Sequence, residues 1–586
     1  MTVCITSDPA LSGSHPVHPL GSQAKVLLCS VFGPYARDDE YGSRTINPME
    51  LWHNQVTRVQ GAFSLRMFHR SWGLILMQAN MDAPCICLDF PTLERFIEEI
   101  RDNHYDVVGI SGILPNIGKI EAMCRLVREH LPEATIVIGG HITGCADLAD
   151  RIDADHIVRG DGVRWFRRFL GEDADQPIRH PMIYAGFERR TMGVSIPFDP
   201  RNMAAALITS VGCPVGCNFC STSAMFGGKG KFVNFYETGD ELFEVMCGLE
   251  EGLKVKSFFV MDENFLLHRP RALRLLELVR EHNKSWSLNV FSSANALKSY
   301  TIDQLVGLGV SWVWMGLEGK DSRYGKLHGT DTRALVRTLQ DNGIRVLGSS
   351  IIGLEEHTPA NIDEAIDYAV SHETDFHQFM LYTPVPGTPL YAELEEAGVL
   401  LSNRELPDAD NHGQYRFSHR HPNIPAGDET EMLLRAFGRD FEVNGPSVLR
   451  VVRTALAGWR KHRDHPERRV RRRLASEVEG ITTLFAGGLW AARKWFRHNP
   501  AVSAKMDAVL QDIHREFGLR SRLTAAVFGR IMYRLLRRED RRLKAGRTYE
   551  PPTFYETNRP QPDRADGGEI PALLRWVTAA LAPAGA

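Results

Sequence analysis

The chain has 586 residues, a formal net charge of -3, 43% hydrophobic residues and 24% charged residues. This length predicts several domains with sizeable cores, and the nearly balanced charge excludes a protein whose whole surface attracts nucleic acid. The ten cysteines are mostly scattered, which is not the pattern of a disulfide-rich secreted domain. No run of 18 uncharged apolar residues is present, so we expect a cytoplasmic globular protein without a membrane span.

Residues 1–22 are rich in Ser, Pro, His and Gly and lack the basic and apolar regions of a signal peptide. We therefore expect a disordered tail. In residues 23–172, short apolar strands alternate with amphipathic helices, which predicts a Rossmann-like parallel sheet covered on both faces. The predicted strands are 25–32, 85–90, 105–111, 135–140 and 155–159, and the predicted helices are 72–81, 92–103 and 117–130.

The ends of three of these strands are rich in glycine, and ligands of parallel sheets bind beyond such carboxyl ends. No GxGxxG motif follows the first strand, which argues against a dinucleotide. The segments GISG (109–112), GGH (139–141) and GDG (160–162) resemble the cobalamin-binding domain that precedes many radical S-adenosylmethionine (SAM) domains. The resemblance implies cobalamin contacts from Ser111, Gly112, Gly139, Gly140, His141 and Gly160.

The best-known cobalamin signature, DxHxxG, is incomplete in this domain. Asp102 and His104 match its start, but Val107 stands where the glycine belongs. We interpret His104 as a surface residue, so no histidine of that motif is expected to bind cobalt. The alternative for the whole domain is a sheet that binds no cofactor.

An apolar strand predicted at 205–209 leads into a loop that contains Cys213, Cys217 and Cys220. The chain has no second CxxC or HxxxH that would complete a zinc site, so three cysteines favour a [4Fe–4S] cluster with one open iron. The spacing CxxxCxxC, with Phe219 before the last cysteine, resembles the radical SAM family. That resemblance implies that SAM binds the open iron and is cleaved to a 5′-deoxyadenosyl radical, with electrons from a donor such as flavodoxin or ferredoxin. The alternative is three structural or incidental thiols.

In residues 173–400, about six strands alternate with helices, which predicts a partial (β/α)6 barrel with its site at the carboxyl ends of the strands. Polar residues follow these strands, and the resemblance, which covers about residues 23–400, implies roles for several of them. Read from the residues alone, a glutamate after a strand can equally cap a helix, and a Pro/Gly run can equally form a turn. The implied SAM contacts are Phe219, Ser292, Glu318, Gly348, Ile351 and Gly353. Asp262, Asn264 and Tyr382 are catalytic candidates without an assigned role.

Residues 401–586 are predicted to be mainly helical. Residues 401–430 are polar and rich in His and Pro, which indicates a linker or a lid. The basic stretch 446–547 contains two amphipathic segments, 481–495 and 523–536, which either cap the barrel mouth or lie on an anionic membrane surface. No nucleic-acid-binding motif is present. A short apolar helix is predicted at 570–581.

Together these resemblances imply an α/β enzyme that uses a [4Fe–4S] cluster, SAM and cobalamin. The expected reaction is methylation of an unactivated carbon of a lipid or natural-product substrate through a 5′-deoxyadenosyl radical and methylcobalamin. A second hypothesis keeps both cofactors but closes or rearranges a ring without methyl transfer, and a third is a cluster-based sensor. The sequence does not identify the substrate. An apolar pocket is one interpretation of a set of strand residues that could equally be barrel core: Met261, Trp312, Trp314, Met315 and Met380.

Overall fold

The computed structural model describes residues 4–6, 16–35, 40, 41, 50–319, 327 and 329–559. An N-terminal sheet, a central barrel-like sheet and a set of C-terminal helices follow one another along the chain. This confirms the predicted fold class. The helix predicted at 570–581 lies outside the described residues.

The N-terminal sheet has seven strands. In spatial order they are Cys4–Thr6, His156–Val158, Thr135–Gly139, Val107–Ser111, Val26–Ser30, Cys85–Asp89 and Phe554–Thr557. All neighbours pair in parallel except the last two strands. The strands Val26–Ser30 and Cys85–Asp89 are buried throughout because helices cover both faces of the sheet. These helices are Trp72–Ala79, Leu93–Asp102, Ile117–His130, Leu148–Arg151 and Gly162–Phe169.

Both edges of this sheet differ from the expectation. Cys4–Thr6 pairs with His156–Val158, so part of the predicted tail is a strand. At the other edge, Phe554–Thr557 pairs antiparallel with Cys85–Asp89 from more than 460 residues away. Arg70 fixes this second strand, because its guanidinium lies 3.9 Å from the ring centroid of Phe554 and 2.8 Å from Glu556. An added strand protects a sheet edge, but no local sequence pattern predicts such a partner.

The central sheet has six parallel strands in chain order, which agrees with the predicted partial barrel. The strands are Ala204–Ile208, Ser257–Met261, Ser287–Phe291, Val310–Glu318, Arg345–Ile352 and Phe376–Leu381. The helices that accompany them are Ser221–Met225, Gly239–Leu253, Arg269–Glu281, Ala294–Lys298, Ile302–Leu308, Thr332–Asp341, Ile362–Val370 and Pro389–Glu396. Alternate residues such as Val260, Leu288 and Val313 face these helices and form the main core.

The C-terminal helices are Asp428–Asn444, Ser447–His462, Arg468–Glu477, Ala486–Trp495 and Pro500–Lys544, the last with a kink at Gly518. Their apolar faces form a core of their own against Phe63 and Met192. Val448, Val451 and Phe485 face the first residues of the barrel strands. The helices therefore cover the amino-terminal end of the barrel. Capping of the barrel mouth, one of the two alternatives for segments 481–495 and 523–536, is not what the structure shows. Within the described residues, no helix is both long and apolar enough to cross a membrane.

Candidate functional site

A cavity of about 700 Å³ lies at the carboxyl ends of the barrel strands, where the N-terminal domain faces them. Its volume is typical of a small-molecule site. The barrel and the cysteine loop form one side. The N-terminal domain contributes Tyr35, Ile113, Leu114, Pro115, Asn116, His141 and Cys145. Residues 409 and 411–414 also line the cavity, so part of the predicted linker or lid closes over it.

Cys213, Cys217 and Cys220 all line this cavity. Glycines shape their loop, because Gly212 has φ +87° and Gly216 has φ +68°, a region that residues with a side chain rarely adopt. A Cβ on Gly216 would also lie 2.5 Å from the Cβ of Lys229. Ser223 stabilises the loop, because its hydroxyl donates to the carbonyl oxygen of Cys213 at 2.7 Å.

The chemistry of these thiols fits an iron–sulfur cluster. Burial raises the pKa of Cys213 to about 11, and bound iron would oppose this shift because it stabilises the thiolate. Among the described residues, no three His, Cys, Asp or Glu side chains are close enough to hold a single metal ion.

Four of the six residues predicted to contact SAM line the cavity: Phe219, Ser292, Glu318 and Ile351. Glu318 is buried, has φ +53° and lies at an irregularity in the strand pairing. Such backbone strain in a non-glycine residue persists only where the surrounding structure imposes it, and it is common at functional sites.

Gly348 and Gly353 do not line the cavity. A Cβ on Gly348 would lie 2.5 Å from Leu317, and one on Gly353 would overlap the ring of Phe417. The structure therefore explains both glycines by close packing. Direct SAM contact by any of the six residues stays a prediction.

Only two of the three catalytic candidates line the cavity. Asn264 and Tyr382 line the cavity, and the amide oxygen of Asn264 accepts from the backbone N–H of Ser293 at 3.0 Å. Asp262 does not line it. Its carboxylate is buried, lies 2.6 Å from Arg271 and accepts from the hydroxyl of Thr209 at 2.8 Å. The contacts of Asp262 therefore hold the end of its strand, and a direct catalytic role for this residue stays an untested prediction.

Glu263, which is not among the residues predicted from the sequence, also lines the cavity. It follows Asp262 and precedes Asn264 in the chain. Within the part of the chain that the structure describes, its Oε2 is buried without a hydrogen-bond partner. Burial, together with the neighbouring Asp262, raises the pKa of Glu263 to about 7. Buried polar atoms normally have partners, so an orphaned carboxylate oxygen fits a cationic ligand such as SAM. The only signal in the sequence was a third polar residue after the second barrel strand.

Four of the six predicted cobalamin residues, Ser111, Gly139, Gly140 and Gly160, line a smaller cavity of about 320 Å³ at the carboxyl ends of the N-terminal sheet. Gly112 lies behind it, because a Cβ on Gly140 would approach the Gly112 carbonyl oxygen to 2.5 Å.

His141 instead lines the main cavity, and burial lowers its pKa. Gly139 and Gly140 therefore line the smaller cavity, and the next residue, His141, lines the main one. His104 is exposed beside Asp106, as expected for a surface residue.

Two family models match the chain: "B12 binding domain" at residues 71–170 and "Radical SAM superfamily" at residues 207–369. An uncharacterized methyltransferase of Pyrococcus horikoshii is 25% identical over 52% of this chain and 72% of its own length. A hopanoid C-2 methylase of Rhodopseudomonas palustris is 25% identical, and an anaerobic magnesium-protoporphyrin IX monomethyl ester cyclase of Rubrivivax gelatinosus is 24% identical; each match covers 51% of this chain and 60% of the relative.

One solved structure that matches part of the chain is the radical SAM methyltransferase TsrM of Kitasatospora setae, with cobalamin and a [4Fe–4S] cluster bound. It is 15% identical, has a TM-score of 0.49, and the match covers 78% of this chain and 99% of TsrM. Neither family model extends into the C-terminal helices.

Proposed function

Because this chain is a cobalamin-binding radical SAM enzyme, we propose that it transfers a methyl group to an unactivated carbon of an apolar small molecule or lipid. Its cofactors are a [4Fe–4S] cluster, SAM and cobalamin, and when bound they supply the radical and methyl-transfer chemistry. The observation that carries the proposal is the single cavity of about 700 Å³, which the cysteine loop, the barrel strand ends and the B12-binding domain line together. Relatives named as methyltransferases support methyl transfer over other reactions.

The chain's own residues would hold the reactants and exclude water. The three cysteines would bind the cluster, and the carboxylate of Glu263 would face the positive charge of SAM. Asn264 would keep the loop at Ser292 and Ser293 in place through its amide oxygen. The segment 411–414 would close the cavity, which strengthens electrostatic interactions within it.

A second candidate keeps the same site but closes or rearranges a ring without methyl transfer. The relative named as a magnesium-protoporphyrin ester cyclase favours it. The mass of the product distinguishes the two reactions, because methylation adds one CH2 unit and oxidative ring closure removes hydrogen.

The test is an anaerobic assay. The protein is reconstituted with iron, sulfide and hydroxocobalamin, then incubated with SAM and a strong reductant. We expect 5′-deoxyadenosine and one bound cobalamin per chain, with the nucleoside lost in Cys217→Ala. Cys247→Ala is the matched control, because Cys247 is a partly exposed cysteine outside the loop. Nucleoside without cobalamin would contradict methyl transfer, and no nucleoside from the loaded protein would favour the sensor.

We also propose that the last long helix contacts an anionic membrane surface. Leu519, Leu523, Val527 and Ile531 are 48–70% exposed and recur every four residues, so they share one face. Residues 517–538 contain six arginines and no acidic residue. Exposed apolar side chains beside arginines fit a surface of anionic lipids.

Sedimentation with lipid vesicles tests this contact. We expect the protein to bind vesicles with 30% phosphatidylglycerol more strongly than phosphatidylcholine vesicles, and Leu523→Glu to weaken that binding. Leu267→Glu is the control, because Leu267 is an exposed leucine on the barrel. Equal binding to both vesicles would contradict the proposal.

A further inference from the structure

A second cavity, of about 410 Å³, lies inside the barrel near the amino-terminal ends of its strands. Its walls are mainly apolar and include the aromatic side chains of Trp52, Phe259, Phe291, Trp312, Trp314 and Phe376. Phe291 and Trp314 stack with their ring centroids 4.9 Å apart, and both also line the main cavity of about 700 Å³. This stacked pair is therefore the partition between the two cavities.

Hydrogen bonds orient the indole ring of Trp314 in this partition. The indole N–H of Trp314 donates to the hydroxyl of Ser349 at 2.8 Å, and that hydroxyl donates to Gln378 at 2.8 Å. With its N–H engaged, Trp314 presents an apolar ring to the second cavity. The same neighbourhood receives Val448, Val451 and Phe485 from the C-terminal helices, yet these side chains leave the space open. Protein interiors are normally close-packed, so a lined apolar space of this size indicates a ligand site.

One cationic group lines this apolar space. Arg189, on the strand Phe187–Thr191, donates from Nη1 to the carbonyl oxygen of Asn202 at 2.6 Å. Its Nη2 is buried and, within the described structure, has no hydrogen-bond partner. Asp199 interacts electrostatically with Arg189 but forms its ion pair with Arg201, at 2.7 Å. The neighbouring Arg190 differs, because it forms an ion pair with Glu539 at 2.6 Å. An unsatisfied guanidinium N–H in an apolar site is costly, and a carboxylate or phosphate oxygen would satisfy it.

We propose that the second cavity binds the apolar body of the substrate, and that this substrate is an amphiphile whose anionic end lies at Arg189. The inference rests on the proposed function and names its substrate class. The far end of the apolar body then meets Phe291 and Trp314, beyond which the cofactors bind. Reaction at that end requires the stacked pair to part.

Dodecanoate and dodecanol are suitable probes, because they share an apolar chain and differ in charge. Binding is measured by equilibrium dialysis of labelled probe against the anaerobic holoenzyme. We expect one dodecanoate per chain, bound about tenfold more tightly than dodecanol. Arg189→Gln should remove this tenfold difference without changing the affinity for dodecanol. Arg101→Gln, at an exposed arginine of the N-terminal domain, should change neither.

Val451→Trp tests the apolar part, because it places a large side chain in the cavity. This variant should bind neither probe while retaining wild-type iron content and cobalamin absorbance. No saturable binding, equal affinity for the two probes, or full binding by Val451→Trp would overturn the inference. Dodecanoate binding without any methylated product would reject only the proposed reaction. Methylation of a substrate that does not compete with dodecanoate would reject only the cavity assignment.

Discussion

Substitution of Asp262 tests whether its carboxylate positions other residues or takes part in catalysis. Its side chain is 3% exposed and pairs with Arg271, which is 2% exposed, at 2.6 Å. Asp262→Ala would leave the guanidinium buried with only neutral acceptors, the Asn234 side chain and the Tyr236 carbonyl. Removing one partner of a buried ion pair typically costs about 3–5 kcal/mol. For a domain of about 200 residues this corresponds to a fall in unfolding temperature of roughly 6–20 °C.

The assay compares thermal unfolding of the holoenzyme with formation of 5′-deoxyadenosine at a temperature where the variant remains folded. We expect Asp262→Ala to lower the unfolding temperature and to retain nucleoside formation. The double variant Asp262→Leu/Arg271→Met should recover part of the loss, because it removes both buried charges. Asp240→Ala is the control, since Asp240 pairs with Arg274 on the exposed surface and should change stability little.

The reasoning would be refuted if Asp262→Ala unfolded at the wild-type temperature but formed no nucleoside. That result would return Asp262 to the list of catalytic residues. A loss of stability in Asp240→Ala equal to that in Asp262→Ala would also refute it, because burial would then not be the cause.

Three further outcomes follow from the structure. Gly216→Ala should lower the iron content of the reconstituted protein, because its Cβ would overlap a neighbouring side chain; Gly228→Ala, where φ is also positive but the space is open, should lower it less, and equal losses would contradict the steric argument. Glu263→Gln should weaken SAM binding about tenfold at unchanged iron content, measured by equilibrium dialysis, and unchanged affinity would show that this carboxylate does not face SAM. Burial opposes ionisation of Glu539, but hydrogen bonds from Arg190, Arg542 and Tyr549 lower its pKa to about 2. The ionised Glu539 therefore stabilises the fold above the ordinary pKa of 4.5, and this stabilisation is lost as the pH falls from 4.5 towards 2. Glu539→Gln should therefore lose less unfolding temperature than wild type between pH 5 and pH 3, and parallel losses would contradict that assignment.

Local patterns determined the cluster loop and the order of the elements. Cys213, Cys217 and Cys220 lie within eight consecutive residues. The alternation of apolar strands with amphipathic helices is likewise visible from each segment and the next. Both patterns involve residues that are close in the chain, so they can be recognised without knowledge of the tertiary structure. The same is true of Ser292, Asn264 and Tyr382, because the carboxyl ends of parallel strands converge on one edge.

Tertiary structure decided which side chains face the cavities. Three consecutive polar residues follow the second barrel strand, but only the folded structure pairs Asp262 with Arg271 and, within the described residues, leaves the Oε2 of Glu263 without a hydrogen-bond partner. Met315 belongs to the core, whereas Trp314 lines both cavities, because successive strand residues point to opposite faces. The strand Phe554–Thr557 completes a sheet formed by the first part of the chain. Such features depend on partners hundreds of residues away, and no window of sequence contains both members of the pair.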